Sequence, residues 1–217
     1  MAARVLIASD DFNRADGALG ANWADIDPTW GTVSITSNKV GGGSGEGAAS
    51  RWIGAGSFID DQYASVVVGG IATTNDWVGA MVRVGAGTNA SRSYYLLAFT
   101  DTAPQQTYLV KVVVGTSTTL KTDTSVSWAN GDRIEIEVEG TTLRGMKNGV
   151  ALGGGYTVTD SSISSGLPGI WCNSNTHLIT GDDWQGGNLV AALPFFMPAM
   201  KYRPFPFKPG SSNLSRF

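Results

Sequence analysis

Residues 131–149 read GDRIEIEVEGTTLRGMKNG, and in this stretch hydrophobic period, turn chemistry and charge agree. Ile134, Ile136 and Val138 alternate with Glu135, Glu137 and Glu139, the period-two pattern of a strand with one buried and one wet face. Glu139, Gly140, Thr141 and Thr142 reverse the chain, and a return strand runs through Leu143 and Met146 to Asn148 and Gly149. An Asn-Gly pair tolerates positive φ at both positions and is the strongest short hairpin signal. A second turn leads into residues 150–152. The whole is a β-meander, and a meander with one apolar face needs a second layer to cover it. The alternation predicts that Ile134, Ile136 and Val138 point into a core and that all three glutamates face solvent.

The length of 217 residues suits one β domain with an appendage. Hydrophobic residues make up 42% and charged residues only 15%, with 29 glycines, a mix that fits many strands joined by tight turns and excludes long helices or a disordered chain. A net charge of -3 supplies no field to gather nucleic acid or an anionic membrane, so neither is an expected partner. The single cysteine, Cys172, cannot form an internal disulfide, and its place in the apolar run GIWC reads as an inert core thiol. The opening MAARVLIASDDF has too short an apolar run for a signal peptide, and no stretch approaches the roughly 20 apolar residues of a membrane span. Synthesis and folding in a cytoplasm are expected.

Along the chain, residues 4–9 read as a strand closed by the polar turn of residues 10–17, with Trp23 and Trp30 as core anchors. Short strands at 33–36 and 39–40 precede the loop GGGSGEG at 41–47, which stays within one domain because strands resume at once. Apolar or alternating runs follow at 49–53, 63–68, 77–84, 93–99 and 107–114, and beyond the hairpin at 155–158, 169–172 and 178–189. About a dozen strands at this cadence predict an all-β, two-sheet antiparallel sandwich over residues 1–189.

Three segments carry a family resemblance: DDFNRADGALGANW at 10–23, the 131–149 hairpin, and GDDWQGG at 181–187. Together they resemble the concanavalin A-like, laminin G-type jelly roll, over roughly residues 8–189 by this pattern comparison. The resemblance implies that the first and last strands pair, which sets Asp10, Asp11 and Phe12 beside Asp182, Asp183 and Trp184. It departs from the pattern at Gly145 and Lys147, where alternating apolar residues are usual, and that predicts a patch of sheet that is either thin or in contact with something outside the domain. Such jelly rolls serve as lectins, glycosidases and virion proteins, so the fold alone does not choose a function.

Three constellations are candidates for chemistry. By spacing, Glu135, Glu137 and Glu139 resemble the carboxylate strand of laminarinase-like glycosidases, but the family's central Asp is replaced by Glu137. A retaining pair needs carboxyls about 5.5 Å apart, whereas i and i+2 on a strand lie about 6.6 Å apart. The glutamates are therefore read as surface acids and no catalytic residue is assigned. Asp10, Asp11, Asp16, Asp182 and Asp183 are weak candidates for calcium, against the alternative that they form turns by bonding nearby amides. No cofactor is otherwise expected. His177 is the lone histidine, which excludes a His cluster. Trp77, Tyr94, Tyr95, Tyr108 and Trp128 are candidates to stack on sugar rings, against the alternative that they fill the sandwich.

Residues 190–217, VAALPFFMPAMKYRPFPFKPGSSNLSRF, break from the body in composition. They hold five of the 8 prolines and five of the 8 phenylalanines. Their charges are four cations and no acid, so this arm carries +4 and the remainder -7. Closely spaced prolines forbid a helix or central strand and favour an extended, stiff arm suited to lie along another chain. The expected partner-binding residues are Phe195, Phe196, Lys201, Tyr202, Arg203, Phe205, Phe207 and Lys208. With no enzyme constellation, and with DDFNRADG resembling domains of tailed-phage structural proteins, the expectation is a non-enzymatic bacteriophage virion protein. A capsid decoration protein comes first, a tail or fibre component next, bound to other virion proteins or to copies of itself. The alternative is a carbohydrate-binding, lectin-like module for host-surface glycans, and the third reading is a laminarinase-type glycoside hydrolase.

Overall fold

In the computed structural model, which describes residues 2–26, 28–29, 31–42, 47–72, 75–173 and 179–191, the 131–149 segment is the expected hairpin. Gly140 turns at φ 57°, and Asn148 and Gly149 turn at φ 51° and 77°, conformations that Asn and Gly reach at least cost. Trp30, His177 and the arm from 192 onward, with all eight expected partner-binding residues, lie outside the described residues.

The described residues form seventeen strands and one 3-10 turn, Asn89–Ser91. In order the strands are β1 (Ala3–Asp10), β2 (Gly17–Ala18), β3 (Trp23–Asp25), β4 (Val33–Thr36), β5 (Lys39–Gly42), β6 (Ala48–Trp52), β7 (Gln62–Gly70), β8 (Trp77–Val84) and β9 (Tyr94–Thr100). They continue as β10 (Thr107–Val113), β11 (Thr116–Asp123), β12 (Arg133–Glu139), β13 (Thr142–Lys147), β14 (Val150–Ala151), β15 (Thr157–Thr159), β16 (Leu167–Asn173) and β17 (Thr180–Val190). The sequence reading of about a dozen is thus too low. It passes over β11, whose TSTTLKTD has Leu120 as its one apolar residue, and the brief β2 and β3. Gly41 and Gly42, read as loop, belong to β5.

Two antiparallel sheets pack face to face. The ten-stranded sheet runs β14, β13, β12, β7, β17, β5, β4, β2, with β1 also paired to β17 and β15 to β13. The seven-stranded sheet runs β11, β10, β9, β8, β16, β6, β3. The first and last strands pair as the resemblance implies, from Ala3 opposite Val190 to Asp10 opposite Trp184. Ile134, Ile136 and Val138 point inward and meet Val82, Leu97 and Phe99 of the other sheet in one core cluster. Trp23, Trp52 and Trp184 close one end of that core, with ring centroids 4.7 to 5.5 Å apart. Trp23 is the core anchor it was expected to be.

Two expectations fail here. The sheet is not thin at Gly145, because a side chain there would sit 3.0 Å from Leu97 and 3.2 Å from Tyr156, whose ring already fills the space. Lys147, its neighbour in the same alternation, reaches the Ser127 carbonyl at 2.7 Å and lies over the Trp128 ring at 5.4 Å. The second failure is the wet face: Glu135 and Glu137 are only 2% and 3% exposed. They do point away from the core, so the alternation holds, but a long cation from another strand covers them. Glu139 at the hairpin end stays half-exposed and is held by Arg144 at 2.9 Å.

Candidate functional site

Alternation gives each sheet an outward set of side chains as well as an inward one. On the seven-stranded sheet Val78, Ala80 and Val82 face the core while Trp77 and Met81 face out. Tyr94 and Leu96 of β9, Tyr108, Val110 and Val112 of β10, and Trp171 of β16 belong to the same outer cluster. Cross-strand register places Tyr108 opposite Ala98, Ala98 opposite Gly79, and Gly79 opposite Trp171. The two small residues in the middle of that row leave the larger rings at its sides.

The rings form two pairs. Trp77 reaches across β9 to stack on Tyr108, with centroids 4.4 Å apart and planes 20° from parallel, over the small Ala98. Tyr94 and Trp171 make a tilted pair at 5.9 Å. Between them opens a cavity of about 330 Å³, its aliphatic lining supplied by Leu96, Val110 and Val112. Ser117, Thr119 and Asn173 bring polar groups to its wall, and Arg92 is the one charged residue lining it among the described residues. The Arg92 guanidinium donates to the Asn89 carbonyl at 2.9 Å. Trp77 and Tyr108 remain half-exposed, and the Tyr108 hydroxyl bonds Gln106.

Of the five aromatic candidates, Trp77, Tyr94 and Tyr108 thus come together. Tyr95 and Trp128 do not: both alternate into the inter-sheet core. The Tyr95 hydroxyl donates to Asp160 at 2.7 Å and accepts from the Ile163 amide at 3.0 Å. Burial, then the Asp160 carboxylate, push that hydroxyl up to about 12. Trp128 stacks on Phe99 at 5.3 Å and donates to Thr107 at 2.8 Å. Sequence reasoning missed Trp171, although the signal was there. In GIWC, Ile170 and Cys172 face the core, so the residue between them must face out. Cys172 is fully buried and burial alone raises its thiol, as an inert core cysteine requires.

The outer face of the ten-stranded sheet is built otherwise. Tyr63 of β7 lies opposite Gly187 of β17, where a Cβ would stand 2.6 Å from the tyrosine ring, so only glycine lets the ring lie flat there. Arg4 of β1 runs over that ring at 4.8 Å and donates through Nε to Glu137 at 2.7 Å and through Nη1 to Glu135. Burial would lower the Arg4 guanidinium, but its hydrogen bonds to Glu135 and Glu137 outweigh it and raise its pKa above the ordinary value. The Gly149 amide also donates to Glu135, and Arg144 stands 3.8 Å from Glu137. A cation thus seals the two carboxylates most like a glycosidase strand.

The acidic ends bond amides and Arg14 in the manner of turns. Asp10 accepts from the Phe12 amide at 2.9 Å, from both terminal nitrogens of Arg14 at 2.6 and 2.9 Å, and from the Trp23 indole at 2.8 Å. Burial works against its charge, but the Arg14 and Trp23 bonds prevail and lower its pKa. Asp11 accepts from Asn13, Asp16 from Ser37, and Asp182 from Asp183. Burial, and after it the neighbouring Asp183 and Asp11 carboxylates, raise Asp182. Among the described residues no three His, Cys, Asp or Glu side chains are grouped to hold a metal ion.

No protein-family model matches the chain, and no curated protein matches it by sequence. Solved structures do. The carbohydrate-binding module CBM66 from Bacillus subtilis superposes with a TM-score of 0.56 at 15% identity, over 80% of this chain and 97% of that one. The catalytic domain of an endo-1,3-β-glucanase (laminarinase) from Thermotoga petrophila RKU-1 gives 0.57 at 9% identity, over 87% and 99%. The CBM2 module of the evolved Dit of Lactobacillus casei BL23 phage J-1 gives 0.53 at 12% identity, over 88% and 98%. Likeness at this identity is likeness of fold, and the fold is the concanavalin-like jelly-roll sandwich.

Proposed function

We propose that this jelly roll is a non-catalytic glycan-binding module, with the aromatic cavity of the seven-stranded sheet as its ligand seat, carried on a bacteriophage virion. The observation that supports the seat is the pairing of Trp77 with Tyr108 and of Tyr94 with Trp171 around a single opening. Pyranose rings present C–H faces that stack on aromatic surfaces, and amphipathic rings such as Trp and Tyr are suited to a contact that is apolar on one side and wet on the other. Two of the superposing structures are described as carbohydrate-binding or CBM modules, which supports the same reading. Against hydrolysis stands the Arg4 clamp, which fills the space above Glu135 and Glu137 where a scissile bond and an attacking water would have to sit.

The virion assignment is supported by the DDFNRADG opening, by the composition of the arm, and by the likeness to a module of a phage Dit. In this reading the protein sits on the particle as a capsid decoration protein or a tail or fibre component. The arm attaches it to other virion proteins through Phe195, Phe196, Lys201, Tyr202, Arg203, Phe205, Phe207 and Lys208. The jelly roll then presents its cavity to host-surface glycans.

Trp77→Ala in the full chain tests the seat. It should lower retention on purified host cell-wall glycan at least about tenfold, the loss of a well-packed interface aromatic. Removing residues 194–217 should abolish incorporation into particles while leaving that retention intact. Wild-type retention in Trp77→Ala removes the cavity as the seat, and full occupancy of the truncated chain on particles removes the arm as the attachment.

A further inference from the structure

We infer that the seat continues past Arg92 into a second cavity at the tip of the β10–β11 hairpin, where Val114 is a ligand contact, so that it takes a glycan of two or more linked sugars and not a terminal sugar alone. The inference rests on the glycan-binding reading above. It starts from a pair of turns with the same geometry. Lys147 and Val150 close one two-residue hairpin loop around Asn148 and Gly149, at φ 51° and 77°. Val113 and Thr116 close another around Val114 and Gly115, at φ 47° and 75°. Positive φ at both loop positions calls for Asn-Gly, and the first loop has it. The second instead holds a β-branched valine in the left-handed region, where such a residue is a genuine outlier.

Burial does not offset that strain, because Val114 is 66% exposed. The tip is nonetheless held in place. The Val114 amide donates to Ser93 Oγ and the Gly115 amide to the Arg92 carbonyl, both at 2.9 Å, and a side chain at 115 would meet the Ala90 carbonyl at 2.7 Å. Strain that the surroundings fix in this way clusters at active sites and ligand clamps. Here it lies on a cavity of about 420 Å³ whose wall includes Thr29, Asn89, Val114 and Thr116. Arg92 and Gly115 line both this cavity and the aromatic one of about 330 Å³, so the two adjoin, and each is of ligand-pocket size by itself. The linings differ. The first brings ring faces, whereas the second brings the Thr29 and Thr116 hydroxyls and the Asn89 amide around one exposed isopropyl group. Thr29 donates to the Asn89 side-chain oxygen at 3.0 Å, which holds that polar wall together. Donors and acceptors of this kind suit the hydroxyl edge of a second sugar whose C–H face rests on Val114.

The test is calorimetric titration of the full chain with laminari-, cello- and chito-oligosaccharides of one to six units and with size-fractionated fragments of purified host cell-wall glycan. In the series that binds, affinity should rise about tenfold or more from one unit to two or three and then level off. Val114→Gly removes the isopropyl group in a residue at ease with the turn, and should cut that gain severalfold. Val114→Asn supplies the residue the turn prefers, and should raise the thermal midpoint by about 2 °C or more as the strain is relieved. A single sugar that binds as tightly as the longer glycans, or a gain that survives Val114→Gly, overturns the inference and leaves the aromatic seat standing. A midpoint that does not rise in Val114→Asn overturns it as well, since the turn then carries no strain for a ligand contact to explain. If no sugar of any length binds, the glycan reading falls and takes the inference with it.

Discussion

Turned away from the core of the ten-stranded sheet are Arg4, Tyr63, Ser65, Glu135 and Glu137; turned away from that of the seven-stranded sheet are Trp77, Tyr94, Leu96, Tyr108, Val110 and Trp171. Both sets alternate with core residues, and much of both is buried, yet they are built for opposite ends. The first set is closed upon itself: cation, ring and two carboxylates satisfy one another, and nothing is left to offer a ligand. The second is built of apolar and aromatic side chains, and its half-exposed rings flank an opening. A buried polar face is therefore evidence of internal bracing in this molecule, and an outward aromatic face is the material of the proposed glycan seat.

The inner layer shared by both sheets sets the scale against which the two faces are judged. Ile136 is fully buried in the inter-sheet cluster. Ile136→Ala should cost about 4 kcal/mol of unfolding free energy in a denaturant titration, the lost transfer plus the cavity left behind. A cost under about 1 kcal/mol would mean that the sheets are not packed on each other there.

Next in size is the brace. Arg4→Ala leaves Glu135 and Glu137 buried without their cation, with their side chains 2% and 4% exposed against 30% for Arg4. Breaking a buried pair from one side is strongly destabilising, and the partial exposure of Arg4 points to the lower end, about 3 kcal/mol. Adding Glu135→Gln and Glu137→Gln to the same chain should recover part of the loss, because neutral amides are buried at lower cost than charges. If Arg4→Ala is neutral, this face is as dispensable as an ordinary surface and the contrast between the faces collapses.

How much of this was legible in the sequence can be read from the same residues. Period two set which way Ile134 and Glu135 point, and Asn148-Gly149 set the turn from β13 into β14, because both are local. That Glu135 is sealed was not local, since Arg4 is 131 residues away in the chain and reaches it only once β1 has paired with β17. The same distance hid the cavity. Alternation says that one of Tyr94 and Tyr95 faces out, but which one depends on register with β8 and β10. Trp171 was the exception, an outward residue that its neighbours Ile170 and Cys172 already marked.

A smaller effect tests the closure of the core near the sandwich end. Asp160 accepts from Tyr95 at 2.7 Å, from Lys111 at 2.6 Å and from the Ser162 amide at 2.8 Å. Burial opposes its charge, but the Lys111 bond, then those from Tyr95 and Ser162, bring its pKa well below the usual carboxylate range. Because the folded value is depressed, the contribution is present above the unfolded value of about 4 and is lost as pH falls through the lowered one. Asp160→Asn should therefore cost about 2 kcal/mol near neutrality, and the gap to wild type should narrow steadily below about pH 4. A gap that does not change with pH would assign the loss to packing instead of charge.

The smallest expected stability effect is at the outer aromatic face of the seven-stranded sheet. Trp77 is half-exposed and its described ring contact is the stack on Tyr108 at 4.4 Å. Such a pair is worth about 0.5 to 1.5 kcal/mol beyond its area burial, so Trp77→Ala should cost about 1 kcal/mol of folding while removing one wall of the cavity. The informative quantity is the ratio of the two losses, not either alone. A brace shows a large loss of stability and no loss of binding, as expected for Arg4; a recognition residue shows the reverse. Should Trp77→Ala cost as much stability as Arg4→Ala, the outer face of the seven-stranded sheet is a second brace, and the ring pairs around its cavity exist to hold strands together.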